Sequence, residues 1–237
     1  VWNCHHCGWN GGYSPHFAKQ HYYPYTDKKI YSVPKEIEKK HMETKYQEFF
    51  KIRKISDNTL KYFNISFSKI KFNGTEKETA IFPYIYNGKE VNHKYRSIDK
   101  EFRQTKDAQR TLYNIDCLSE KRDEPLIIVE GEMDVLSLHE CGYTKVVSLP
   151  DGASKEAKFR DDDKRFDALK THAEELAKEQ SIIIATDNDE AGKALALELA
   201  HRFGKDRCSY VDWGSITLSG DIKCKDASDA LSYGATD

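Results

Sequence analysis

Two short stretches constrain this chain more than any others. Leu126-Ile-Ile-Val129 runs directly into Glu130-Gly-Glu-Met-Asp134, and Ser181-Ile-Ile-Ile-Ala185 runs into Thr186-Asp-Asn-Asp189 ahead of Glu190-Ala-Gly192. A β-branched apolar run that breaks abruptly into carboxylates and glycine reads as a parallel strand buried on both faces, with acids at its carboxyl end. Open α/β sheets bind their ligands at that edge. Alternation along each strand and its extension is expected to put Glu130, Glu132 and Asp134 on one side, and likewise Asp187 and Asp189. Several carboxylates would then share a crevice, and such crowding calls for a hard cation. Oxygen-only ligation suits magnesium or manganese.

Strand and helix signals alternate around these segments. Residues 135–142 read as a short helix closed by Gly142, 145–149 as a second buried strand, 165–179 and 190–203 as helices, and 208–213 as a last strand. The turn Pro150-Asp-Gly-Ala153 is expected at the same edge as the acids. Upstream, 45–53 has helical periodicity and 56–63 reads as a helix N-capped by Ser56. Segments 69–72, 80–86 and 90–96 alternate as strands, with Asn73-Gly and Asn87-Gly as hairpin turns. The expected fold is α+β leading into α/β: a small subdomain of helices and antiparallel sheet, then a mainly parallel sheet flanked by helices.

Net charge excludes little, because 37 basic and 39 acidic residues leave −2. Segregation says more. Basic residues outnumber acids over 35–110, and Lys94 and Arg96 share one face of a predicted strand, with Lys100 and Arg103 just beyond it. A cationic stripe near carboxylates suits a triphosphate and a nucleic-acid backbone. Asp161-Asp-Asp163 reads as a solvated loop. No apolar stretch is long enough for a bilayer span and no secretory pattern is present, so no membrane association is expected.

The first residues, Val1-Trp-Asn-Cys4-His-His-Cys7-Gly8, contain half of a structural zinc site. Two further ligands are needed, either His5 or His6 or a pair upstream of Val1. The upstream pair is the preferred expectation, which leaves an incomplete zinc site in this chain. Residues 13–44, with Pro15, Pro24, Pro34 and the tyrosines around Tyr23, read as a linker. Cys117, Cys141, Cys208 and Cys224 have no paired spacing and read as reduced thiols.

Taken in order, the acid segments resemble the Toprim domain shared by primases, topoisomerases and several nucleases. Together with the knuckle and the basic strand ahead of them they resemble Toprim-type DNA primases, both bacterial and of the short-tailed-phage primase-helicase type. That resemblance implies a division into 1–12 (zinc ribbon remnant), 13–44 (linker), 45–118 (basic subdomain) and 119–237 (Toprim domain). It implies Glu130 as general acid or base, with Asp187, Asp189 and, from Lys225-Asp226, Asp226 as further ligands of magnesium or manganese. Cys4 and Cys7 would hold zinc. Lys94, Arg96 and Lys100, and less centrally Arg103, would contact nucleotide, template and primer.

The implied activity is synthesis of short RNA primers from ribonucleoside triphosphates on single-stranded DNA, with two divalent ions at the Toprim acids. The implied partners are a replicative helicase, expected to follow in the native polypeptide, and a DNA polymerase that receives the primer. The implied location is the cytoplasm, that of a host if phage-encoded, with mitochondria as the other possibility. Two readings stay open beside it: a Toprim nuclease, and a non-catalytic DNA-binding region of a helicase.

Overall fold

The structure is a computed structural model and describes residues 30–37, 44–119, 123–218 and 223–234, together with the backbone of 2–3 and 10–11. The chain divides into two compact units, residues 1–30 and 31–237. In the first, strand β1 (Trp2–Asn3) pairs antiparallel with β2 (Asn10–Gly11).

The second unit begins its regular structure with helix α1 (Thr44–Ile52) and helix α2 (Asp57–Tyr62). Ser56 caps α2 as its sequence predicts, its hydroxyl accepting the Thr59 amide at 3.3 Å. Strands β3 (Ser66–Phe72), β4 (Thr75–Tyr86), β5 (Lys89–Ser97) and β6 (Phe102–Gln104) follow as an antiparallel sheet in sequential order. Its first two turns need positive φ at both central positions. Asn73-Gly74 (φ 49° and 89°) and Asn87-Gly88 (φ 52° and 71°) supply it. Tyr46 of α1 is buried and fixes the helix to this sheet, its hydroxyl accepting the Ala80 amide at 3.0 Å and donating to the Arg96 carbonyl.

The parallel sheet contains β7 (Leu126–Val129), β8 (Val146–Ser148), β9 (Ile182–Ala185) and β10 (Cys208–Tyr210) in the order β10-β9-β7-β8. Its helices are α3 (Glu132–Glu140), α4 (Asp167–Thr171), α5 (Ala173–Leu176), α6 (Glu190–Phe203) and α7 (Ala227–Tyr233). The single helix expected over 165–179 is interrupted at His172, which is buried and hydrogen-bonded through Nε2 to the Thr111 hydroxyl at 2.5 Å. That tertiary bond diverts the chain where periodicity alone gave no warning.

Both faces of the parallel sheet are covered, which explains the uninterrupted apolar runs. Leu126, Ile128, Ile182 and Ile184 pack with Leu199 and Phe203 on one side. On the other, Ile127 and Val129 join a cluster that includes Phe63, Phe82, Tyr84 and Tyr113, so one core runs from the antiparallel sheet into the parallel one. Each such side chain, fully buried, contributes about 1.5–3 kcal/mol. Among the described residues no helix is long and apolar enough to cross a membrane.

Candidate active site

Strands β7 and β9 are adjacent and parallel, with Val129 opposite Ala185 in register. The two acid segments therefore leave the sheet side by side. Glu130 follows β7 directly and is partly buried; one carboxylate oxygen, Oε2, is buried with no hydrogen-bond partner. The Ala153 backbone lies near enough to the same carboxylate to favour its charged form. Burial, and then the charge of Asp187, push Glu130 up to about 7. That value suits a group that must both take and give a proton near neutrality.

Asp187 and Asp189 sit in the β9–α6 turn. Asp189 caps α6, its Oδ1 accepting the Gly192 amide at 2.9 Å, and this bond holds its carboxyl below the usual range. The turn is tight. A Cβ on Gly192 would lie 2.0 Å from the Asp187 carbonyl oxygen, so only glycine fits there. The backbone of the turn is tied across the edge by the Asn188 amide, 2.8 Å from the Lys225 carbonyl. Asp226 then caps α7, accepting the Asp229 amide at 2.8 Å.

The expected alternation through Glu130, Glu132 and Asp134 does not occur. The strand ends at Val129, Gly131 is an N-cap, and Glu132 opens α3. A helical step separates the two acids where a strand would have aligned them. Asp134 is buried and belongs to the acid cluster, where it feels the charges of Asp226, Asp187 and Glu130. Burial, and then the charges of Asp226 and Asp187, raise its carboxyl well above the usual range. Asp226 is likewise raised by burial.

Glu132 points toward the antiparallel sheet. It accepts from the Tyr84 hydroxyl and from the Lys94 ammonium at 2.9 Å, both carboxylate and ammonium being largely buried. Lys94 also donates to the Pro150 carbonyl at 3.1 Å. The turn predicted at the acid edge is thus tied to the antiparallel sheet, with the Pro150 carbonyl accepting from both Lys94 and Gln104.

The stripe of four cations is divided. Lys94 and Arg96 share a face of β5, opposite Gln104 and Phe102, but Arg96 is buried with its guanidinium 4.3 Å from the Phe49 ring centroid. Arg103 pairs with Tyr95 and so lies on the other face, donating to the Lys71 carbonyl at 3.0 Å. Lys100 is exposed in the β5–β6 turn, at φ 64°. Cys4 and Cys7 lie outside the described residues. Sequence reasoning missed Arg53, whose guanidinium stacks 3.8 Å over Phe49 and feels the charges of Asp226 and Asp229. It also missed Phe102, which is 55% exposed with Lys94 and Arg96 within 6 Å of its ring. Neither carries a spacing signal.

Among the described residues no three histidine, cysteine or acidic side chains stand close enough together to hold a metal ion as they are. The Lys225 ammonium lies among these acids, 2.8 Å from Asp187 and 3.5 Å from Asp189. The donor set nevertheless fits a hard divalent cation: it is all oxygen, it includes the orphaned Glu130 Oε2, and Glu130 and Asp134 are raised by burial and then by neighbouring carboxylates.

A four-stranded parallel sheet with acids at its carboxyl edge, preceded by an antiparallel sheet that shares its core, defines the catalytic-core fold of Toprim-type primases. Residues 124–211, which hold the four parallel strands, match the Toprim domain family. The chain is 38% identical over 190 residues to the Primase homolog protein of Arabidopsis thaliana, covering 78% of this chain and 54% of that protein. It is 37% identical over 238 residues to the Twinkle homolog protein, chloroplastic/mitochondrial, of the same plant, covering 98% of this chain and 32% of that one. The chain thus spans about half of the first relative and about a third of the second. In fold it is similar to the primase fragment of the bacteriophage T7 primase-helicase protein, at a TM-score of 0.54 and 24% identity, over 76% of this chain and 67% of that one.

Proposed function

We propose that this chain is the catalytic core of a primase that makes short RNA primers from ribonucleoside triphosphates on single-stranded DNA. The observation that carries the proposal is Lys94 of the cationic strand, which reaches Glu132, two residues beyond Glu130, at 2.9 Å and the Pro150 carbonyl at 3.1 Å. Cations for phosphates and acids for a metal therefore share one rigid wall.

Glu130, Asp187, Asp189 and Asp226 would hold magnesium or manganese, with Asp134 buried behind them. When bound, such an ion makes a hydroxyl more acidic and stabilises charge on a transferring phosphate. Glu130, poised near neutrality, accepts or returns the proton of the attacking 3′-hydroxyl. Lys94 and Lys100 neutralise triphosphate and primer. Arg96 supports that surface from beneath, Phe102 offers a face to a base, and Arg103 meets nucleic acid from the opposite face of the sheet.

The division into 1–12, 13–44, 45–118 and 119–237 is part of the proposal, as is zinc at Cys4 and Cys7 as the remnant of a ribbon. The likeness in fold to a phage primase-helicase favours a helicase as partner, and passage of the primer to a DNA polymerase follows from the activity. The chloroplastic/mitochondrial name of one plant relative favours an organelle over the cytoplasm.

The test is incubation with labelled ribonucleoside triphosphates, magnesium or manganese and single-stranded DNA, with and without a diribonucleotide, beside Glu130→Gln and Asp187→Asn. Short RNA lost in both variants supports the proposal. DNA breakdown without ribonucleotides refutes it in favour of a Toprim nuclease. DNA binding unchanged by either variant, with no product from any protein, favours the non-catalytic region.

A further inference from the structure

The acids of this site carry more negative charge than they can hold together, and the chain meets part of that need itself. Lys225 precedes Asp226, and its carbonyl accepts the Asn188 amide at 2.8 Å, so its backbone is fixed against the Asp187–Asp189 turn. Its ammonium then lies 2.8 Å from Asp187 Oδ2 and 3.5 Å from Asp189 Oδ2. Of the two carboxylates, Asp187 is largely buried and has no other salt bridge among the described residues, while Asp189 spends its other oxygen on the Gly192 amide. The Lys225 side chain is half exposed, so the cation reaches the acids from the solvent side on a flexible stem.

We propose that Lys225 is a tethered counter-cation, which neutralises the Asp187–Asp189 pair when no divalent ion is bound and must leave before one can bind. This rests on the reading of these acids as metal ligands. The ammonium and a divalent ion compete for the same oxygens, so the apparent metal affinity of the chain is lower than its carboxylates alone would give. The exchange releases Lys225 at the mouth of the site, where it becomes a free donor. Lysine suits this role better than arginine, because a compact, strongly hydrated ammonium gives up a carboxylate more readily than a bidentate guanidinium does.

The experiment is titration with Mn²⁺, followed by electron paramagnetic resonance of the free ion, for the wild-type chain, Lys225→Met and Lys225→Arg. Lys225→Met should bind Mn²⁺ roughly two- to fivefold more tightly, the range a partly exposed ion pair is worth. It should also melt at a lower temperature without metal and gain more on adding it. Lys225→Arg should bind no more tightly than wild type. A folded Lys225→Met with unchanged or weaker Mn²⁺ affinity overturns the proposal while leaving the metal site standing. No Mn²⁺ binding by folded wild-type protein overturns the metal reading and this proposal with it. Should Lys225→Met fail to fold, amine acetylation of the wild type, quantified at Lys225 by mass spectrometry, decides. Labelling that rises several-fold on saturation with Mg²⁺ supports displacement, and labelling that stays constant refutes it.

Discussion

Gly192 lies so close to Asp187 that a single added carbon would sit 2.0 Å from the Asp187 carbonyl oxygen and under 3 Å from its backbone nitrogen. The obstacle is backbone, which cannot swing aside as a side chain would. Gly192→Ala should therefore push α6 off the turn and loosen the Asp189 cap. Overpacking of this kind costs about 1–3 kcal/mol. Urea denaturation should show that loss, together with weaker Mn²⁺ binding; an unchanged midpoint would refute the close approach.

Lys94 and Glu132 form a buried pair across the two sheets, with Tyr84 on the same carboxylate oxygen. Removing one partner of a buried pair leaves an uncompensated charge, at a cost of about 3–5 kcal/mol. Lys94→Met and Glu132→Gln should each destabilise strongly, while the double variant should lose much less than the sum of the two. Thermal unfolding of all four proteins measures the coupling, and simple additivity would show that the pair does not couple the two halves.

The acids predict a pH dependence with a definite sign. Glu130 rises from the ordinary 4.5 to about 7 in the folded chain, so between those values the folded state holds the extra proton. Stability of the metal-free protein should accordingly be full below about 4.5 as far as this group is concerned, fall as pH rises toward 7, and level off above it. Asp134 and Asp226 are raised as well and contribute with the same sign. Melting temperature against pH should slope downward over that window. Glu130→Gln should flatten the slope in part, and saturating Mg²⁺ should flatten it further. A slope that rises with pH would contradict the assignment.

Phe102 stands exposed beside Lys94 and Arg96. Stacking of a base on such a ring is worth about 1–3 kcal/mol. Phe102→Ala should weaken single-stranded DNA binding by roughly five- to tenfold or more, whereas Phe102→Trp should retain binding and show fluorescence quenched by DNA. Equal affinity for all three proteins by fluorescence anisotropy of labelled DNA would remove the ring from the binding surface.

Much of this was legible in the residues. The parallel strands declare themselves because a strand covered on both faces must be apolar throughout, and the two hairpins because Asn-Gly alone satisfies two successive positive φ values. Glu130, Asp187 and Asp189 could be placed at one edge, since each lies within four residues of the end of such a strand. Periodicity failed where the chain changes its geometry in mid-motif. Glu132 and Asp134 read as strand positions because nothing local shows that Gly131 opens a helix. Arg96 and Arg103 read as members of one stripe, because the pairing of β5 with β6 and the docking of Phe49 are set by distant residues.

The sequence by itself determined most of the elements, their order and the two acid segments, which follow from local hydrophobic pattern and turn chemistry. Only the tertiary structure decided which charges meet. Lys94 reaches Glu132, Asp134 joins Asp226, and Lys225 closes on Asp187, because each of these pairs is distant along the chain. Such contacts are fixed by how two sheets share one core, and no property of either residue alone specifies its partner.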